Sequence, residues 1–313
     1  MSKRKKVETE GVSSRSSYGL KDLPSSASKF TKEDVEALNA TFKSAFNESE
    51  IIPDVEAMNT PHDHFLLNLS SNMLRRPDFD VDNIHGLLDE YVKTFINNLH
   101  RIVMNLGLDI DTDESKTDSL VTYMLTRFAK FDRWPFGVRV NEYYRLFVSD
   151  KKVSTKPEFV VDKKGVAIII VVLDKHLNNV FLPDFGESQM LAEILACGFE
   201  NLHISRVFME QTILAVRVIS SYITFYKAKI PVAYWKELPR GLSRKQSITI
   251  LRWPGGNDPK TGLDLVKLAR RLTVLTALIK IRESLLREEK EENKEGEDKE
   301  EDEEDEGEDE QLL

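Results

Sequence analysis

Eight consecutive apolar residues, Val166 to Leu173, follow Lys163-Lys164-Gly165 and end at Asp174-Lys175. The run is far shorter than the ~20 residues of a membrane-spanning helix. Its β-branched content reads instead as a strand apolar on both faces. Such a strand must lie inside a sheet that is covered on both sides, which selects an α/β fold with helices on either face. No amino-terminal apolar segment resembles a signal peptide, and no membrane association is expected.

Periodicity supplies the covering elements. In "TKEDVEALNATFKSAF", Thr31 as N-cap, Asp34 three residues later, and Val35, Leu38, Phe42 and Phe46 predict a helix. A longer stripe from Ile84 to Val103 predicts a second, stopping near Gly107, and "TDSLVTYMLTRFAKF" a third. From Tyr143 the period changes to that of strands: "YYRLFV", "PEFVV", "VAIIIVVL", then a helix in "GESQMLAEILACGF", then "ILAVRVI", "YITFYKA" and "SITILRW". A last helix begins in "GLDLVKLARRL". The expected organisation is a disordered basic and Ser-rich tail over 1–30, a helical region over 31–116, an α/β domain over 117–287 and a disordered acidic tail over 288–313.

Charge divides the chain. The net charge is -9, yet Glu288 to Glu310 carries 17 acids against 3 bases, so the remainder is basic. A like-charge block of this kind cannot bury enough apolar surface to offset its chain entropy. It could engage protein partners, or compete with a polyanion for basic surface on its own chain. The basic candidates nearest to it are Lys267, Arg270 and Arg271 on the last helix, with Arg240, Arg244 and Lys245 in the preceding loop. The cluster Lys3, Arg4, Lys5, Lys6 reads equally as a nuclear import signal or a solvated end. One cysteine, Cys197, has no partner for an internal disulfide and suits a reducing, intracellular setting.

A reversal at Gly165 sets Glu158 opposite Leu173, where cross-strand Cβ atoms lie ~5 Å apart. By strand alternation Leu173 and Lys175 share a face and Asp174 points the other way. Pro157 and Glu158, then Leu173-Asp174-Lys175, then Gln189 in "GESQMLAE" resemble the PD-(D/E)XK nuclease superfamily, in particular the nuclease-like domains of fungal and oomycete proteins such as Crinkler-type effectors. The likeness spans roughly Thr117 to Arg287. It implies a restriction-endonuclease-like fold, with a mixed central sheet flanked by helices behind a helical amino-terminal region. It further implies DNA or RNA as ligand, Glu158 and Asp174 as holders of Mg²⁺, Lys175 as positioner of the attacking water, and Gln189 on the following helix.

Two carboxylates would be needed to hold the hard cation and activate water. Leu173 stands where the resemblance places the second acid, so the expectation is a degenerate nuclease fold that binds nucleic acid with weak or no cleavage. The alternative is a non-enzymatic interaction protein. Glu193 lies four residues after Gln189 on one helix face, and Asp118 opens the third helix, where a distal acid would sit. His62 and His64 in "PHDH" lack partners at metal spacing and read as surface histidines.

Overall fold

The computed structural model describes residues 19–55, 69–86, 89–105, 114–173, 186–255 and 262–309, with side chains described as far as Glu288. The chain is α/β. Its main sheet has eight strands: β1 (Ala40–Ser44), β2 (Phe136–Val140), β5 (Phe159–Lys163), β6 (Val166–Leu173), β7 (Gln211–Ile219), β8 (Tyr222–Ile230), β9 (Ile248–Trp253) and β10 (Leu263–Asp264). The order is β1-β9-β8-β7-β6-β5-β2, with β10 added to the start of β8. β1 with β9 and β6 with β7 are parallel and the remaining pairs antiparallel, so the sheet is mixed. A separate hairpin, β3 (Tyr144–Val148) with β4 (Lys151–Thr155), lies outside it.

The apolar run is β6, between β5 and β7 as its composition requires. Ile169, Val171 and Leu173 face one core together with Phe159 and Val161 of β5. That core is closed by α3 (Glu90–Asn105), α4 (Glu114–Tyr123) and the first turns of α7 (Leu268–Asp309). Ala167, Ile170 and Val172 face the other core, closed by α5 (Glu187–Ser205), α6 (Val232–Glu237), α1 (Lys32–Ala37) and the β3–β4 hairpin. A further short helix, α2 (Ser71–Leu74), buries Leu74 beside α3.

The β5–β6 connection is a two-residue turn. Lys163 pairs with Val166, and both Lys164 (φ 53°) and Gly165 (φ 90°) are left-handed, the conformation that matches strand twist in tight hairpins. Asp162 fastens the turn by accepting from the Gly165 N–H (2.8 Å). A bulge then shifts the register between Val161 and Asp162, leaving Ile168 as the extra residue of β6.

Several expectations are corrected. The first helix ends at Ala37, and Asn39 turns left-handed (φ 52°); Ala40–Ser44 then becomes an edge strand beside β9, leaving Phe46 94% exposed. The helical pattern at Phe42 and Phe46 yields to pairing with a strand more than 200 residues away. The second helix starts at Glu90 rather than near Ile84. Gly19 to Phe30 is no tail: Leu23, Ala27 and Phe30 are buried, and Ser26 bridges to Ser154. Both cores draw on residues before and after 117, so the helical region and the α/β domain form one packed body. α7 runs as backbone helix to Asp309, so the tail boundary expected near Glu288 falls inside this element. Lys3–Lys6, His62, His64 and Gly107 lie outside the described residues. Among the described residues no helix is long and apolar enough to cross a membrane.

Gly198 marks the closest approach in the α5 layer. A Cβ there would come within 2.6 Å of the Trp235 ring on α6 and 3.1 Å of Ile213. Gly198→Ala should therefore destabilise the fold by about 1–3 kcal/mol through overpacking, although alanine is the better helix former. Denaturant unfolding checks this, and a neutral or stabilising result would contradict the packing described.

Candidate functional site

Glu158 precedes β5 at the end of the sheet where β6 finishes. Continuing the register Phe159–Val171 back one residue sets it level with Val172, not Leu173 as expected: the turn is centred between Lys164 and Gly165, which alone would set Glu158 level with Val171, and the bulge on β6 moves the pairing on by one residue. Its carboxylate still reaches Leu173: Oε2 accepts from the Leu173 N–H at 3.3 Å. The side chains diverge. Leu173 points into the core with Phe159 and Val161 and is 6% exposed, whereas Glu158 shares the parity of Val160 and faces the α5 side. Leu173 therefore does not occupy the place of a second acid facing Glu158; the β6 residue on that face is Val172.

α5 supplies what does face Glu158. Gln189 Nε2 donates to Glu193 Oε1 (2.8 Å), one helical turn on. Glu193 is 1% exposed, and its other oxygen, Oε2, and the Thr155 hydroxyl of β4 are buried and interact without forming a hydrogen bond of good geometry. Burial pushes the Glu193 carboxyl up to about 8, and the charge of Glu158 adds to this, while Gln189 and Thr155 pull the other way. At neutral pH Glu193 is held mainly as the acid, beside an acceptor-rich carboxylate. Cys197, one turn further along α5, is completely buried, and burial with the Glu193 charge raises its thiol well above the ordinary range. It is no nucleophile there.

The same face carries a buried polar row that extends across the strand ends. Val172 pairs with Arg217, Arg217 with Thr224, and Tyr226 with Arg252, which neighbours Ser44. Arg217 and Arg252 are 3% and 4% exposed. Arg252 Nη1 donates to Glu187 Oε1, which also accepts from the Tyr226 hydroxyl (3.1 Å), while the Arg217 guanidinium lies 5.6 Å from the centre of the Tyr226 ring. Glu187 stands in the first turn of α5, where the helix dipole favours a carboxylate. This group ties the start of α5 to β7, β8 and β9. Its signal in the sequence was a lone arginine inside each of two apolar strands, "ILAVRVI" and "SITILRW".

Asp174 and Lys175 lie outside the described residues. Asp118 is on α4, whose Leu120 and Val121 pack in the core on the Leu173 side, so it is separated from Glu158 by the sheet. Among the described residues no group of three or more His, Cys, Asp or Glu side chains is placed to hold a metal ion. Glu158 and Glu193 alone do not fit Mg²⁺: one carboxylate is turned to a backbone N–H and the other is favoured as the neutral acid, whereas this cation demands strong oxygen donors to replace its water.

The six basic candidates do not form one surface. Arg271 is completely buried, and burial lowers its guanidinium to about 10; it belongs to the interior. Lys267 and Arg270 are exposed where α7 begins, next to β10, which pairs with Tyr222 and Ile223 at the start of β8. Arg240, Arg244 and Lys245 are exposed beyond Ile230, at the other end of β8. Eight steps of ~3.3 Å put the two groups roughly 26 Å apart along the strand.

No protein-family model matches this sequence, and no curated protein matches it.

Two outcomes test this geometry. A glutamate at 173 should enter the core, so Leu173→Glu should cost about 3 kcal/mol or more of stability, whereas Val172→Glu places its carboxylate on the Glu158 face. Equal stability of Leu173→Glu and the native chain would contradict the facing described. For Glu193 the folded-state pKa exceeds the ordinary 4.5, so its contribution to stability is complete below about 4.5 and is lost as pH rises through about 8. Glu193→Gln, which keeps an acceptor for Gln189, should flatten stability against pH over that interval and make the variant the more stable form at pH 8. Chemical denaturation across a pH series reads this directly.

Proposed function

We propose that this protein binds nucleic acid on a degenerate PD-(D/E)XK-like scaffold and has weak or no Mg²⁺-dependent phosphodiester cleavage. The observation that carries the reading is the arrangement around Glu158. An acid opens the first strand of a tight hairpin, the second strand ends beside it, and the following helix turns Gln189 and Glu193 toward it. That is the order of acid, strand and helix on which the resemblance rests. Against cleavage stands the chemistry of the same place, where β6 offers the apolar Val172 and the helix offers an acid held neutral. If a Mg²⁺ ion is held, Glu158 and Asp174 would hold it, and it would supply Lewis acidity and a more acidic bound water.

Phosphate contact would fall to Lys267 and Arg270, exposed at the sheet end that also carries Glu158. An intracellular setting, with nuclear import through Lys3, Arg4, Lys5 and Lys6, belongs to the same reading. The alternative, an interaction protein working through protein partners, is favoured by one surface: Ile204 in the last turn of α5 and Val207, Phe208 and Met209 just after it are exposed.

The experiment is binding of duplex DNA, single-stranded DNA and RNA to the full chain at low salt, in EDTA and then in Mg²⁺. Lys267→Ala with Arg270→Ala should weaken binding several-fold and reduce the salt slope by up to about 2, the counterions released by two phosphate contacts. Absence of binding to all three at low salt would sink the reading and leave the protein-partner alternative. Efficient cleavage in Mg²⁺ that is lost in Glu158→Ala would overturn its inactive half.

A further inference from the structure

At the opposite end of the sheet from Glu158, α6 and the loop leading to β9 form a cleft of about 570 Å³ whose other wall begins at Gly19 and Leu20. Lys236, Arg240, Arg244 and Lys245 line it, with one carboxylate, Glu237. All four cationic side chains are exposed, and among the described residues none of them forms an ion pair. Four like charges around one concavity repel one another, and a bound anion is what relieves that repulsion.

Glu237 does not neutralise the cations; it shapes their loop. Its Oε1 accepts from the N–H groups of Arg244 (2.9 Å) and Lys245 (3.0 Å), and its Oε2 from the Gln246 N–H (2.9 Å) and the Ser243 hydroxyl (3.0 Å). These bonds hold its carboxyl down at about 2, so the clasp is intact over the whole physiological range. The single Ser243 hydroxyl proton is shared between Glu237 Oε2 and the Gln246 carbonyl, the shorter contact (2.6 Å), and the Asn39 side chain donates to the same carbonyl (2.7 Å), fixing the loop to β1 and β9. Arg244 and Lys245 are thus presented from a backbone fixed in advance, so that little ordering remains to be done on binding. Leu20 and Leu242 add an apolar part to the wall.

We infer that this cleft is a separate binding site for a small polyphosphate of nucleotide size. The volume suits such a ligand, the arginines suit bidentate contact with phosphate oxygens, and the leucines suit a base or sugar face. A distance of some 26 Å along β8 separates it from the surface assigned to nucleic acid, so it is a second site rather than an extension of the first.

Isothermal titration of the full chain with ATP, in EDTA and a phosphate-free low-salt buffer, tests the inference. One saturable site is expected. Arg240→Ala with Arg244→Ala should weaken it by about 10-fold or more, and Lys267→Ala with Arg270→Ala should leave it unchanged. No saturable binding, an unaltered affinity in the Arg240/Arg244 variant, or equal weakening by the Lys267/Arg270 variant would each overturn it, the last by showing only diffuse charge attraction. Because the Lys267/Arg270 pair reads out the other surface, failure here and failure of nucleic-acid binding are distinguishable.

Discussion

The structure depends on the full coverage of β6. A strand apolar on both faces has to find two layers of side chains, and it has to use every backbone hydrogen-bonding group inside the sheet. β5 and β7 satisfy most of them, but parallel pairing with β7 begins only at Ile169. The Asn201 side chain of α5 completes the ladder: its oxygen accepts from the Ala167 N–H and its nitrogen donates to the Ala167 carbonyl, both at 2.8 Å. Asn201 also donates to Gln211, whose amide donates to the Gly198 carbonyl. A buried network of this kind is stabilising only if complete, and here it fixes α5 in rotation as well as in position. Gln189 and Glu193 therefore face Glu158 because Asn201 holds the other end of the helix.

From that registration the character of the candidate site follows. One bulged residue on β6 decides which side chain meets Glu158, since a shift of one residue exchanges the two faces of a strand. The bulge brings Val172 to that face and sends Leu173 into the opposite core. The Glu158 carboxylate, lacking a facing acid on β6, is satisfied by a backbone N–H instead. Burial then does to Glu193 what a cation would undo, keeping it protonated near neutral pH.

What was legible in the sequence was whatever local pattern controls. The strand run, the reversal at Gly165 and the helix over "GESQMLAEILACGF" follow from neighbours in the chain, whereas the change of period comes earlier than Tyr143, since Phe136–Val140 is already β2, paired with β5. β1 was not legible, because Phe42 and Phe46 sit at helical spacing and only the distant β9 makes "ATFKS" a strand. A midpoint count sets Leu173 opposite Glu158, but the turn is centred between Lys164 and Gly165, and the bulge, which leaves no mark in the sequence, adds one residue to β6, so Val172 takes that place. Arg271 read as a surface cation from composition alone, while its neighbours Val274, Leu275 and Leu278 bury that side of α7. Gly19 to Phe30 read as tail because serines dominate it; Leu23, Ala27 and Phe30, the residues that dock it, were the available signal.

The distribution of charge also takes on a different meaning once the elements are placed. A flexible acidic tail would sample every basic surface within reach and compete there with phosphate. α7 instead carries its backbone as helix from Leu268 to Asp309, and a helix advances 1.5 Å per residue. Glu288 therefore lies roughly 27 Å along the axis from Arg270, and each further turn moves the acids farther from that cation. A rigid element cannot fold back on its own first turn, so Lys267 and Arg270 are kept apart from the acidic block by the helix that joins them. Separation of this kind lets one chain keep basic surface and a strongly acidic segment together without mutual neutralisation, and it leaves Lys267 and Arg270 open to ligands in solution.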